Sequence, residues 1–531
     1  MSTRIVVVGG GTAGARLAQR LPVTLLGEEP HAPYNRLLLA DVLAGRYGPE
    51  VIALPEARKP ARLGVRAVRI DRAARAVQCA DGTRVPYDRL VLATGSAPVL
   101  PPLRGLRGAE LPSGVHPFRT LDDCLALRGA VRPGVRAVVI GGGLLGVSAA
   151  RALAALGAEV MLTQQGERLM ERQLDAHSSA LLRAHMEALG VEVHTECRVS
   201  GLRQEGGAVT AVELADGFVL DAQVVVLACG VRPRVALARE AGLDVRTGVV
   251  VDDELRTSDP YIHAIGDCAE HDGRVYGLAG PALDQADVLA DLLSTPEPLP
   301  PPGPLTTPAP LTGPLASTAP RAPEGPGGPA VPEAPATPAT PATPGGPVAP
   351  GAPVAPLASA APGAPGAPEA PIAPGAPATS EVPATPATPG GPVAPLASAA
   401  PEGPAAPGAP AAPEVPAAPA APVAPATPAT PGPRPRYTGT RALTRLTLAG
   451  AESLDLAVFG ETTAAPGDDV VQLTDATRRA YRKVVVRGDR LVGGVLFGDL
   501  AAVGTLARAW EGDEALPDAP LLHLLTHDGG S

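Results

Sequence analysis

The chain has 531 residues, a formal net charge of −10 and 2% aromatic residues; it is too long for one ordinary domain and lacks the basic excess that nucleic-acid binding needs. No apolar run reaches the roughly 20 residues of a membrane-spanning helix, so neither a nucleic acid nor a membrane is expected as a partner. The composition is uneven. Residues 296–435 hold 46 of the 65 prolines, no Phe, Tyr or Trp, and nine charged residues, so two folded parts flank a segment without the means to build a core.

In chain order, the N-terminal MSTRIVVVGGG enters a strand at once and leaves no room for a signal peptide. The five cysteines, Cys79, Cys124, Cys197, Cys229 and Cys268, are odd in number and far apart, and a reduced cytoplasmic protein is the expectation. RIVVVGGGTAGARLAQRL (residues 4–21) reads as a buried parallel strand, a Gly-rich turn and a helix. Pro22 follows closely, so that helix is short. RAVVIGGGLLGVSAARALAALG (136–157) repeats the pattern after a Pro133-Gly134 turn.

A nucleotide diphosphate is held by backbone amides at a helix start, where the N–H groups are unpaired and the helix dipole is positive. Glycines are needed there to turn the chain, to let the backbone approach the ligand, and to pack helix on strand. Gly9, Gly11 and Gly14 have this spacing, and so do Gly141, Gly143 and Gly146. Two matches, each between a predicted strand and a predicted helix, imply two dinucleotide sites.

After the first helix, the strand VTLLG ends at Glu28 and Glu29. An acid at Glu28 suits both hydroxyls of an adenosine ribose, although a solvated loop acid would read the same way. The matching strand of the second unit, EVMLTQQGER, ends in Gln164 and Gln165, with Arg168 beyond. Neither glutamine repels a 2′-phosphate and Arg168 attracts one, so NADH and NADPH both stay open.

From Pro296 the text is Pro, Ala, Thr and Gly, with PATPATPGGPVAP at 338–350 and again at 383–395. A disordered, polyproline-like linker over 296–436 is expected; its PxxP spacings are what such a tether produces by default. From Tyr437 to Ser531, LTRLTLAG, DLAVFGE, AYRKVVVRGDRLVGGVLFGD and AAVGTLARAWEG predict several strands, a hairpin at RGDR and one helix, a small α+β domain. His523 and His527 are four apart beside Asp528, but a frayed terminal helix explains them without a metal. With no Cys-x-Cys or Cys-x-x-Cys cluster, no metal site and no iron–sulfur or sirohaem ligation is expected.

These motifs resemble the two-dinucleotide flavoproteins of the pyridine nucleotide-disulfide oxidoreductase superfamily. The resemblance is greatest to the flavoprotein portion of the assimilatory nitrite reductase large subunit and to nitrate-assimilation electron-transfer subunits, with rubredoxin reductases as relatives. YDRLVLATGSAPVLPP (87–102) resembles the family's return crossing between modules, which implies that Thr94 and Gly95 lie near the flavin. VVVLACGVRPR (224–234), around Gly230, resembles the counterpart at the nicotinamide side, and RTSDPYIHAIGDCAEH (256–271) the segment whose aspartate, here Asp267, binds the flavin's ribityl hydroxyl.

The resemblance implies an α/β fold of two interleaved Rossmann-like dinucleotide-binding domains over 1–295, with the NAD(P) subdomain at about 115–235 inserted in the FAD domain. Residues 437–531 would be a rubredoxin-reductase-like interface domain. HAPYNRLLLADVLAG (31–45) aligns with PYxRPPLSK of ferredoxin-type reductases. Arg36 keeps the arginine that lies by the cofactor. Asp41 stands where a lysine would be, and Ser148 where its glutamate partner would be. Loss of both is more tolerable than loss of one, because a buried charge without its partner costs about 3–5 kcal/mol. The stretch then packs Tyr34 and Arg36 along the cofactor but offers no thiol relay and no cationic partner for flavin N5, and Asp41 reads equally well as an exposed helix acid.

An FAD-dependent NAD(P)H oxidoreductase is expected, in which reduced nicotinamide gives hydride to the flavin. No catalytic acid or base is expected among the side chains. Cys229 and Cys268 are explained by packing, so electrons would leave for a protein acceptor: a nitrate or nitrite reductase component, a ferredoxin or a rubredoxin. Two rivals stay open, a non-catalytic nucleotide sensor or scaffold with the same fold, and a diaphorase or oxidase acting on small acceptors.

Overall fold

Ile5–Val8 is buried on both faces, which places it inside a parallel sheet rather than at a half-wetted edge. In the computed structural model, which describes residues 3–106, 110–294, 434–441, 443–448, 453–513, 515–516 and 520–525, it is an inner strand of a four-stranded sheet. The order is 262–264, 89–92, 5–8, 24–26, and every neighbour runs parallel. Helix α1 (Thr12–Arg20) leaves the first strand and ends two residues before Pro22, the short helix that the sequence requires. Helix α2 (Leu39–Leu43) follows the second strand.

The chain then leaves this sheet before its last strand is laid down. Strands 115–117, 136–140, 159–163, 191–194 and 224–227 build a second, five-stranded parallel sheet in the order 191–194, 159–163, 136–140, 224–227, 115–117. Its helices are α3 (Leu121–Ala130), α4 (Leu144–Ala155) and α5 (Ala176–Ala188). Ser96–Pro98 going out and Val231–Pro233 coming back pair antiparallel, so both crossings form one joint. After a short α6 (Ala236–Glu240), Ile262–Ala264 closes the first sheet, and α7 (Ala279–Ser294) packs along α1. The two modules are thus interleaved, as expected.

The proline-rich stretch expected as a linker lies outside the described residues from 295 to 433, as do His527 and Asp528. Where the chain resumes, Tyr437 is buried; its N–H donates to the Asp253 carbonyl at 2.7 Å, and its ring packs edge-on against His271 and Tyr276. Five antiparallel strands follow, in the order 444–448, 454–460, 490–497, 480–487, 469–475. Arg487 pairs with Arg490 across Gly488-Asp489, with Gly488 at φ +64°, which is the hairpin read from RGDR. Helix α8 (Val503–Gly512) covers one face, with Trp510 against Phe459.

The other face of this sheet shares one apolar cluster with the second module and α2. Leu448, Leu454, Val458, Tyr481 and Phe497 meet residues such as Leu39, Val147 and Leu182. A polar latch sits beside it: Tyr481 Oη and Lys483 Nζ each lie 2.9 Å from Asp175 Oδ2, while Asp175 caps α5 by accepting from the Ser178 N–H.

Burial alone would raise the Asp175 carboxyl, but the bonds from Ser178, Lys483 and Tyr481 outweigh it and hold it down to about 2. A depressed carboxyl stabilises above its unfolded value, near 4, and that contribution is lost as pH falls through the folded value. Amide exchange of residues 480–487 should therefore accelerate between pH 4 and pH 2, a step that Asp175→Asn should remove.

Candidate functional site

Both Gly-rich loops turn on the same contacts. Gly9 has φ +118°, and a Cβ there would overlap the Ala93 carbonyl; a Cβ on Gly14 would overlap the carbonyl of Gly9. The second loop repeats this: Gly141 at φ +112° lies against the Ala228 carbonyl, and Gly146 against that of Gly141. The middle glycines differ. At Gly11 and at Gly143 a Cβ would meet nothing within 4 Å. Each is the N-cap of its helix and offers no side-chain cap, so the first-turn N–H groups face open space.

At the first loop that space is a cleft open to solvent. Gly9, Gly11, Glu28, Arg36, Thr94 and Gly95 all line it. Gly14 stands behind it, holding α1 against the loop. Glu28 is half exposed and lies 2.8 Å from Arg234 and 3.5 Å from Arg66. Arg36 is fixed by the Glu29 carboxylate, by Tyr34 Oη at 2.9 Å and by the Arg119 carbonyl at 3.0 Å. Tyr34 is buried, donates to Glu29 at 2.5 Å and accepts from the Leu121 N–H; burial, with Glu29 beside it, pushes its hydroxyl well above the usual range. The stretch 31–45 thus packs Tyr34 and Arg36 along the cleft.

Asp267 reaches the same cleft through two of its lining residues. Ser96 Oγ and Arg119 Nη2 each donate to Asp267 Oδ2 at 2.7 Å. Thr94 Oγ1 donates to the Arg234 carbonyl at 2.7 Å, so the two crossings meet over the cleft. Arg119, Ser96 and Arg234 went unmarked in the sequence. Two signals were available: Arg119 directly precedes the capping Thr120, and Arg234 ends the quoted VVVLACGVRPR. Burial lowers the Arg119 guanidinium, and Asp267 opposes that shift.

At the second loop, Gln164 Oε1 accepts from the Gly142 N–H at 2.8 Å. The side chain is therefore turned onto the Gly-rich loop. Gly230 has φ +96°, and its carbonyl accepts from Val99 at 2.9 Å, within the joint between modules. Gly141, Gly143, Gly146, Gln164 and Gly230 do not line the first cleft.

The expectation for Asp41 is corrected. It is not an exposed helix acid: Arg151 Nη2 donates to Asp41 Oδ1 at 2.9 Å, with side chains 4% and 14% exposed, and Arg46 stands 4.0 Å away. The acid sits on α2 and the base on α4, one turn beyond Ser148, whose hydroxyl turns back to the Leu144 carbonyl. The thiols do not supply an alternative relay. Burial pushes Cys229 up to about 11 and Cys124 up to about 12, and raises Cys268 as well, which disfavours the thiolate that redox exchange needs.

A mouth of free amides that a side chain at Gly11 would enter, with an acid at the strand end and arginines on the walls, fits FAD. The second loop fits a nicotinamide dinucleotide by the same construction.

The chain matches the family model for the pyridine nucleotide-disulphide oxidoreductases over residues 3–286, and that for the rubredoxin NAD+ reductase C-terminal domain over 444–512. It is 38% identical over 306 residues to the nitrite reductase [NAD(P)H] of Bacillus subtilis (strain 168), covering 54% of this chain and 37% of that one. It is 34% identical over 322 residues to the rubredoxin-NAD(+) reductase of Pseudomonas putida, covering 56% and 82%. The assimilatory nitrate reductase electron transfer subunit of Bacillus subtilis (strain 168) is 35% identical over 303 residues, 54% of this chain and 38% of that one. The matched parts thus span little more than a third of the nitrite and nitrate reductase relatives. In fold, the chain is similar to putidaredoxin reductase in its covalent complex with putidaredoxin, at TM-score 0.64 and 20% identity over 99% of this chain and 98% of that one.

The glycine contacts separate folding from binding. Gly14→Ala should lower stability by about 1–3 kcal/mol, the usual cost of overpacking, because its Cβ meets fixed backbone. Gly11→Ala should keep the melting temperature of the flavin-free protein and lose flavin, read as the ratio of visible to 280 nm absorbance.

Proposed function

The chain belongs to the pyridine nucleotide-disulphide oxidoreductase family, and from that premise we propose that it is an FAD-dependent NAD(P)H oxidoreductase that passes electrons outward to a protein acceptor. The carrying observation is the pair of loops built alike, one per module, each with its middle glycine open and its outer glycines locked against backbone carbonyls. When bound, the nicotinamide supplies hydride and FAD accepts it and releases electrons onward. The protein's share is to hold both groups and exclude water.

In this reading Gly9, Gly11 and Gly14 form the flavin diphosphate cup, with Glu28 at its adenosine ribose. Arg36, Thr94, Gly95 and Asp267 surround the rest of the flavin nucleotide, aided by Arg119 and Ser96. Gly141, Gly143, Gly146, Gln164 and Gly230 hold the nicotinamide dinucleotide. The five cysteines are free, so no internal disulfide stands ready to receive electrons. The names of the relatives support a nitrite or nitrate reductase component, a ferredoxin or a rubredoxin as acceptor, with nitrate or nitrite assimilation as its setting. Among the described residues no helix is long and apolar enough to cross a membrane, and the free cysteines support a cytoplasmic location. The absent pair at 41 and 148, which motivated a non-catalytic sensor, no longer does so, because Asp41 pairs with Arg151.

Anaerobic mixing tests the proposal. The yellow absorbance should bleach with NADH or NADPH within turnover time and recover on adding an oxidised acceptor protein. Gly11→Val should give folded protein without flavin. Gly143→Val should keep flavin but slow its reduction by about a hundredfold, as misplacement of a reactant does. Normal bleaching in both variants would refute the loop assignment.

A further inference from the structure

Several polar pairs join the two dinucleotide modules: Arg119 with Asp267, Arg234 with Glu28, His31 with Asp122, and Arg151 with Asp41. The first three lie at or beside the cleft. The last is the most deeply buried and lies away from the cleft lining. A buried ion pair is weak evidence of stability, since apolar residues of similar size often serve as well, and its best-attested use is to fix register. The setting supports that use. Helix α2 has only five residues and packs on α4 through Leu39, Val42, Leu43, Val147 and Ala150, an apolar contact without direction. A charge-assisted bond between Asp41 and Arg151 has direction, and it limits how far α2 can slide or turn on α4.

Each helix extends into one half of the proposed reaction site. Five residues before Asp41, Arg36 lines the flavin cleft. Two turns before Arg151, α4 begins at the open Gly143. A slip of α2 on α4 therefore changes the separation of the two cups. We propose that Asp41 and Arg151 are positioning residues: their buried bond sets the register between the flavin and nicotinamide modules, and so the approach of the nicotinamide ring to the flavin. This rests on the oxidoreductase reading above.

The test is anaerobic stopped-flow reduction of the full-length flavoprotein, with four readouts: flavin content, melting temperature, limiting rate of bleaching, and the nicotinamide concentration giving half that rate. The long-wavelength charge-transfer band of the stacked rings is recorded in the same traces. The double variant Asp41→Leu with Arg151→Met keeps volume and apolar packing. It should retain flavin and melting temperature, hold its half-saturating concentration within about twofold, and lose about tenfold or more in limiting rate together with the band. Arg151→Lys, which keeps the charge, should stay within about threefold of wild type. A double variant that bleaches at the wild-type limiting rate overturns the inference; so does a loss that merely follows lost flavin or lost stability. A wild-type flavoprotein that neither nicotinamide reduces overturns the oxidoreductase reading itself, a result that the wild-type trace shows before any variant is compared.

Discussion

A diphosphate can be gripped by helix amides only where no side chain stands between them and the ligand, and that constraint shapes both halves of the molecule. In each loop the outer glycines let the helix lie against the strand-end carbonyls, while the middle glycine leaves the first turn uncovered. The buried β-branched strands hold the loops rigid, since they are fixed on both faces by helices and neighbouring strands. The rest of the described chain is arranged around the two loops: a crossing pair of strands joins the modules, α2 packs against α4, and a C-terminal sheet lies across the second module and α2.

Local pattern revealed the cups because their requirements are local. Gly9 to Gly14 and Gly141 to Gly146 are short runs whose spacing encodes turn, approach and packing. Glu28 reaches the cleft because it follows the end of a strand that points there. The cleft walls were harder. Asp267 meets Arg119 across 148 residues and Arg234 meets Glu28 across 206, and a pairing between distant loops leaves no periodic trace. Asp41 shows the same limit, because its burial is decided by α4, 110 positions away. Lys483 and Tyr481 likewise find Asp175 more than 300 residues upstream. Sequence placed their strand correctly and was silent about what it touches.

Charge in this protein is arranged by depth. Pairs at the cleft rim, such as Glu28 with Arg234, are half exposed and screened, so a nucleotide can replace one partner at small cost. Pairs between helices and sheets, such as Arg151 with Asp41 and Lys483 with Asp175, are buried and geometrically fixed. Thiols follow the same division: burial raises those beside the cofactor motifs, Cys229 and Cys268, away from the thiolate. In the proposed oxidoreductase, side chains hold and align, and the cofactors would carry the redox chemistry.

The most direct test of the two-cup account is to count flavin and follow its reduction in one sample. Full-length protein, reconstituted with FAD and freed of excess, should hold one FAD per chain and be fully bleached under anaerobic conditions by one equivalent of NADH or NADPH. A correctly folded preparation that takes up no FAD, or one whose bound FAD neither nicotinamide reduces, would contradict it.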